Sequence, residues 1–244
     1  MEQIGTVRRL RRYPVKGMAG EDIDAARVTF AGLLGDRVFA FVDAEGPAKF
    51  PWMTARKGRD MILFRPRFLS ELPLEESGLF SADYAAEVTT PEGEKARVDD
   101  PEFKRLLEKR YGKTLEFRHS ERSMMDTYPV SIFGLASVRA LSKETGLDLN
   151  PLRFRANFYV DWASDEPFFE DRLVGKQLRI GETAAIHIAK KDARCVMITL
   201  DPETAAPSPI VFEKVARDHA GCIGVYGAVL REGIVRAGDP VYAA

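Results

Sequence analysis

Apolar and polar residues alternate at short range through most of this chain, and the longer period of a helix surfaces in only two places. In the first half, Thr6–Tyr13, Asp24–Phe30 and Arg37–Val42 read as strands, each followed by Gly, Pro or Asp punctuation. Val88–Thr90 and Lys95–Val98 flank the turn residues Pro91-Glu92-Gly93 and should pair as a hairpin. Asp100 then offers a cap, Pro101 a first helical residue, Phe103, Leu106, Leu107 and Arg110 a helical spacing, and Gly112 a stop. A second helix is predicted over Leu135–Glu144, with Leu135, Val138 and Leu141 on one face and Gly146 at its end. Strands are expected again at Pro129–Phe133, Phe154–Val160, Ala185–Ala189 and Val196–Leu200, all rich in Ile, Val and Phe. Val225–Leu230, Ile234–Arg236 and Val241-Tyr242, broken by Arg231-Glu232-Gly233 and Gly238-Asp239-Pro240, make a β tail. Leu69–Asp83, with Pro73, Gly78 and several acids, is the expected mobile loop, and a boundary is expected near Arg118–Tyr128.

Composition narrows the class without naming a function. The 244 residues suit one compact unit or two interlocked halves. Lys plus Arg number 36 against 37 acids, so no global field attracts nucleic acid or an anionic membrane, and an anionic ligand must be caught locally. No apolar run reaches the length of a signal peptide or a membrane span. Two cysteines are too few for a disulfide framework, which points to a reducing, cytoplasmic setting.

Candidate chemistry gathers near Cys195. Lys190, Lys191 and Arg194 lie within five residues of it, and nearby cations favour a thiolate, although a cysteine there can also serve as a small core hydrophobe. Cys222, between Gly221 and Ile223, has no such setting. Gly221, Gly224 and Gly227 have a GxxGxxG spacing, but the 17 residues after Gly227 leave no room for a dinucleotide-binding unit, so close backbone approach is the reading. Gly112-Lys113-Thr114 ends like a phosphate loop, yet Leu107 stands where its first glycine belongs. His119, His187 and His219 lack zinc-site spacing. Arg155 and Asn157, two apart on an expected strand, would point to one face and suit anion recognition. Lys16, closing the turn Tyr13–Gly17, and Arg37, after Gly35-Asp36, could add phosphate-directed donors.

Several separated motifs occur in one order. Tyr13-Pro14-Val15-Lys16, Gly32-Leu33 through Asp36-Arg37, and Thr54-Ala55-Arg56 occupy the first half. Arg153-Phe154-Arg155-Ala156-Asn157, Arg194-Cys195 through Asp201-Pro202-Glu203-Thr204, and Gly238–Tyr242 occupy the second. Together they resemble the family that joins a MOSC N-terminal β-barrel to a MOSC domain, as in amidoxime-reducing components and their bacterial relatives. The resemblance implies a mainly β, α+β fold: a MOSC-type barrel over 121–244, a barrel-like subdomain over 1–120, and a few short helices. It implies a molybdenum cofactor, a molybdopterin, with Cys195 as metal ligand and catalytic residue. Lys16, Gly17, Arg37, Thr54, Arg56, Arg155, Asn157 and Arg194 would contact the pterin and its phosphate. Relatives carry Ser where Gly17 stands and another close to Ala193, so two hydroxyl contacts would be missing here.

The activity implied is reduction of N-hydroxylated or N-oxide compounds. The chain has no four-cysteine cluster and no haem-attachment motif, so electrons would come from a separate ferredoxin, flavin reductase or cytochrome. Two alternatives stay open: a sulfur carrier or transferase working through a Cys195 persulfide, and a non-catalytic carrier of the cofactor.

Overall fold

The computed structural model describes residues 2–75, 80, 81 and 83–243. The first half runs β1 (Glu2–Arg12), β2 (Glu21–Ile23), β3 (Ala25–Thr29), β4 (Gly32–Leu33), β5 (Phe39–Asp43), β6 (Arg65–Phe68), β7 (Ala86–Thr89), β8 (Lys95–Arg97), α1 (Pro101–Tyr111) and β9 (Leu115–His119). The second runs β10 (Val130–Gly134), α2 (Leu135–Thr145), β11 (Phe158–Trp162), β12 (Gln177–Ile180), β13 (Ala184–Ala193), α3 (Pro209–Asp218), β14 (Cys222–Arg231), β15 (Gly233–Arg236) and β16 (Pro240–Ala243).

Seven strands close a barrel in the order β1-β11-β10-β14-β13-β12-β16, with β16 returning to β1. All these neighbours are antiparallel except β10 and β11, which α2 joins as a parallel crossover. The inward side chains follow the two-residue period. Val7, Ile132, Val160, Ile186, Ile188, Val225 and Val241 are all fully buried in one cluster. β1 therefore belongs to the barrel of the second half although it begins the chain.

The first half has its own core, in which Phe41, Phe64 and Phe103 pack edge to face beneath β5, β9 and α1. α1 forms as its pattern requires. Asp100 accepts a 2.8 Å hydrogen bond from the Glu102 N–H, Pro101 starts the helix, and Gly112 ends it at φ 62°. The fold is mainly β: the barrel, three smaller sheets and three α-helices. No helix among the described residues is long and apolar enough to cross a membrane.

Two expectations are corrected, and one helix is added. Val196–Leu200 is not a strand. Residues 196–199 form a single 3₁₀ turn, closed by Ile198 N–H to the Cys195 carbonyl at 3.2 Å and by the Thr199 hydroxyl to the Val196 carbonyl at 2.7 Å. The strand expected over Phe154–Val160 starts only at Phe158. Asn150 caps a short 3₁₀ turn at Pro151–Phe154, and Arg155 leaves it at φ 54°, a left-handed backbone that ends any extended run. A third helix, α3, occupies a stretch to which the sequence pattern assigned no element, with Val211 and Val215 buried at helical spacing after Pro209. The expected mobile loop falls partly at 76–79 and 82, outside the described residues, while Leu72 and Phe80 beside them are buried in the first core.

Candidate active site

A cavity of about 250 Å³ opens where the two halves meet, and Lys16, Gly17, Arg37, Thr54, Arg56, Arg155, Arg194 and Cys195 all line it. The first half supplies its floor. The turn after β1 is fixed by Lys16 N–H donating to the Phe39 carbonyl at 2.8 Å and Arg37 N–H to the Tyr13 carbonyl at 2.6 Å. Gly17 sits at φ 89°, and a Cβ there would stand 2.9 Å from the Thr54 Cα, so glycine is what lets this turn lie directly on the Thr54 segment.

The floor's cations arrive with partners. Lys16 is buried, and its ammonium donates to Asp126 at 2.5 Å and to the Met124 carbonyl at 2.6 Å. Burial lowers its pKa, with the charge of Asp126 pulling the other way. Arg37 is held by the fully buried Asp36 at 2.5 Å, and Asp36 also accepts from the Tyr13 N–H at 2.8 Å. Burial works against the Arg37 charge, but Asp36 outweighs it and the pKa ends above its ordinary value.

The wall from the second half is different. The Arg155 guanidinium lies 4.5 Å from the centre of the Tyr13 ring, which also carries Arg37 at 4.6 Å. Among the described residues no carboxylate or carbonyl accepts from the Arg155 side chain. Burial, together with the neighbouring Arg37 charge, brings its pKa down to about 10. Arg194 turns away from solvent and donates to the carbonyls of Ile223 at 2.7 Å and Phe154 at 2.8 Å. It also stands 2.8 Å from Asp192, although that Nη2 lacks a well-directed hydrogen bond. A Cβ at Gly224 would come within 2.9 Å of this guanidinium, so one of the three spaced glycines gives Arg194 its passage.

Cys195 is a free, half-buried thiol at the end of β13, just before the 3₁₀ turn. The cations around it are not those its sequence neighbours suggest. Lys191 points out to Asp171 at 2.7 Å, neither Lys190 nor Lys191 lines the cavity, and Arg194 is engaged as described. Remote residues supply most of the positive charge: five cations besides Arg194, together with two carboxylates, Asp126 and Asp192, line the cavity of a chain whose net charge is −1.

Asn157 is the one proposed contact that the cavity excludes. It is fully buried, its carbonyl accepts from the Ser131 N–H at 3.1 Å and hydroxyl at 3.2 Å, and its amide donates to the Arg11 carbonyl at 3.3 Å. It ties β1 to β10 rather than facing a ligand, because the residues before it leave the strand. Sequence reasoning also missed Arg153, Asp126, Asp192 and Tyr226, which line the cavity from four separate segments. Arg153 stood inside a motif already singled out; the others carry no local signal. Cys222 lies outside the cavity lining, and no cluster of three or more His, Cys, Asp or Glu able to hold a metal occurs among the described residues.

The MOSC domain family matches residues 119–242, and the MOSC N-terminal beta barrel domain family matches residues 4–109. This chain belongs to the MOSC family. The MOSC chain is 27% identical to a molybdenum cofactor sulfurase of Drosophila grimshawi over 88% of its own length, and spans only 31% of that relative. It is 24% identical to mitochondrial amidoxime reducing component 2 of Bos taurus, covering 99% of this chain and 84% of the relative. Among solved structures, the YUAD protein of Bacillus subtilis matches 97% of the chain at 14% identity with a TM-score of 0.53, a likeness of fold.

Proposed function

We propose that the cavity binds a molybdenum cofactor through the Cys195 thiolate and that the protein removes oxygen from N-hydroxylated or N-oxide compounds. One observation carries the reading: a free thiol shares a cavity with Arg155, a cation that has no anion of its own. A thiolate is a soft ligand suited to molybdenum. A guanidinium without a carboxylate suits a phosphate. Lys16, Arg37 and Arg56 would add charge against that phosphate, and Thr54 and the Gly17 backbone would border the pterin. The donor set therefore fits the group. The molybdenum supplies the two-electron chemistry when bound.

The protein's own residues keep the reacting end in place and hold charge around it. Reduction of a hydroxylated nitrogen breaks its N–O bond, takes two electrons and two protons, and releases the amine and water. Asp192 is buried beside the cavity, and burial, opposed by Arg194, raises its pKa, which favours a held proton. The electrons come from a separate donor protein of the one-electron class.

The sulfurase relatives favour a second reading, in which Cys195 carries a persulfide; the chain spans 31% and 30% of two such relatives. Metal content separates the readings. Cys195→Ser, purified from a host that makes the cofactor, should remain folded and lose molybdenum by at least about tenfold, while Cys222→Ser keeps it. Loaded protein should reduce an amidoxime with a one-electron donor and not with NADH alone. Full metal retention in Cys195→Ser overturns the proposal. Retained Cys195 persulfide transfer without amidoxime reduction supports the second reading.

A further inference from the structure

The cavity that holds Cys195 has a larger neighbour. A second, of about 390 Å³, lies against it, and the two share Arg153, Arg155 and Met197. It too is built from both halves, with Arg11 and Arg65 from β1 and β6 facing the segment that carries Leu200 and Pro202. No cysteine or histidine lines it.

Its chemistry is two-sided. Ile62, Pro66, Met197 and Leu200 give it an apolar body. The polar end is cationic and under-used. The side chains of Arg11 and Arg153 are 9% and 3% exposed, and each keeps an Nε with no hydrogen-bond partner. An unfilled donor at that depth costs stability unless something accepts from it. Arg155 stands at the shared wall without an anion, and Arg65 stands exposed with no acid within ion-pair distance among the described residues. Arg11 is paired with Asp22 at 2.9 Å and Arg153 stands 3.5 Å from Asp201, but neither acid lines the cavity or reaches the two Nε atoms. Glu21 is held by Arg12 at 2.7 Å, and Glu203 lies on the exposed rim.

We propose that this second cavity is the substrate-selecting subsite: it takes an aromatic or other flat apolar group ending in a carboxylate, whose N-hydroxylated end passes Arg155 to the Cys195 cavity. Which end reacts rests on the function proposed above; binding in the second cavity does not. A nucleotide extension of the cofactor would also offer a ring and an anion. The lining has few neutral polar side chains for the edges of a base, Thr89 and Tyr13 among them, and the Tyr13 hydroxyl is already given to the Ala156 carbonyl at 3.2 Å.

The test is calorimetric titration of the intact chain with benzamidoxime and with its 4-carboxylate. The carboxylate should bind at least about tenfold more tightly. Arg65→Glu, on the exposed rim and outside the Cys195 cavity, should erase that preference while leaving molybdenum content unchanged; Arg65→Lys should keep most of it. Cys195→Ser should keep the carboxylate preference whatever happens to overall affinity, so loss of the metal and loss of the subsite are read separately. Equal affinity for the two probes, or a preference that survives Arg65→Glu, overturns the subsite. Guanosine monophosphate binding more tightly than the carboxylate, and displacing it, replaces the substrate with a nucleotide.

Discussion

The floor of the Cys195 cavity, drawn from the first half of the chain, and its wall, drawn from the second, part ways at one residue: the floor's buried cations and the wall's Arg153 and Arg194 each have a carboxylate within 4 Å, whereas the wall's Arg155 has none. On the floor, Lys16 has Asp126 and Arg37 has Asp36, so both cations are compensated before any ligand arrives. On the wall, Arg155 has only the Tyr13 ring and a repelling neighbour in Arg37. Compensated cations hold a shape, whereas an uncompensated one in a cavity stores an electrostatic demand that an anion relieves. The difference separates the residues that build the site from the residue that most needs its ligand, and it can be broken at either side.

The largest effect is expected on the floor. Asp36→Ala removes the counter-charge of a buried guanidinium and the acceptor for the Tyr13 N–H together, and should cost about 3–5 kcal/mol in chemical denaturation. Inorganic phosphate should recover part of that loss, since Arg37 then resembles Arg155. A loss below about 1 kcal/mol, the size of an exposed pair, would show that the floor is not compensated in the way the comparison requires.

On the wall, Arg155→Ala should leave stability nearly unchanged, because Ala meets the same left-handed strain as Arg at φ 54° and repulsion with Arg37 disappears. Cofactor affinity should fall instead, by about 1.5–3 kcal/mol, and Arg155→Lys should restore only part of it. The two readouts sort the residue. A large loss of stability with unchanged cofactor titration would assign Arg155 to structure.

The same contrast explains what the sequence could disclose. Local signals were legible where neighbours in the chain decide the structure, as in the Asp100 cap and Gly112 stop of α1 or the turn that separates β7 from β8. The closed barrel is a matter of distant pairing: β1 meets β11 and β16 across most of the chain, and nothing in Glu2–Arg12 states that. Site residues followed the same rule. Motifs brought Lys16, Arg37, Arg155 and Cys195 forward, but of the three nearby cations credited with the charge around Cys195, Lys190, Lys191 and Arg194, only Arg194 lines the cavity. The same-face placement of Arg155 and Asn157 failed for a related reason. A two-residue spacing has meaning only on a strand, and side-chain capping by Asn150 took that strand away.

The smallest expected effect tests whether a lone buried charge always implies a ligand. Glu170 is fully buried away from the cavity and, among the described residues, has no cation at ion-pair distance. Unlike Arg155 it is served by neutral donors: the Gly134 N–H at 3.1 Å, the Ser137 hydroxyl at 2.8 Å and the Trp162 indole N–H at 3.2 Å. Burial still raises its pKa, with these hydrogen bonds opposing. A carboxyl whose pKa is raised by folding binds more protons in the native state. Its stabilising contribution is therefore complete below the ordinary carboxylate range and is lost as pH climbs through the folded value. Glu170→Gln cannot ionise, so the parent's advantage over it in melting temperature should be greatest near about pH 4 and shrink toward about pH 7. Three donors converge on these oxygens, so the amide should be the less stable form at the acidic end, where its NH₂ faces a donor in place of an acceptor. A difference that stays constant across that range would mean that the three neutral donors fully replace the water Glu170 gave up. Missing hydrogen-bond acceptors, more than missing opposite charge, would then be what sets Arg155 apart.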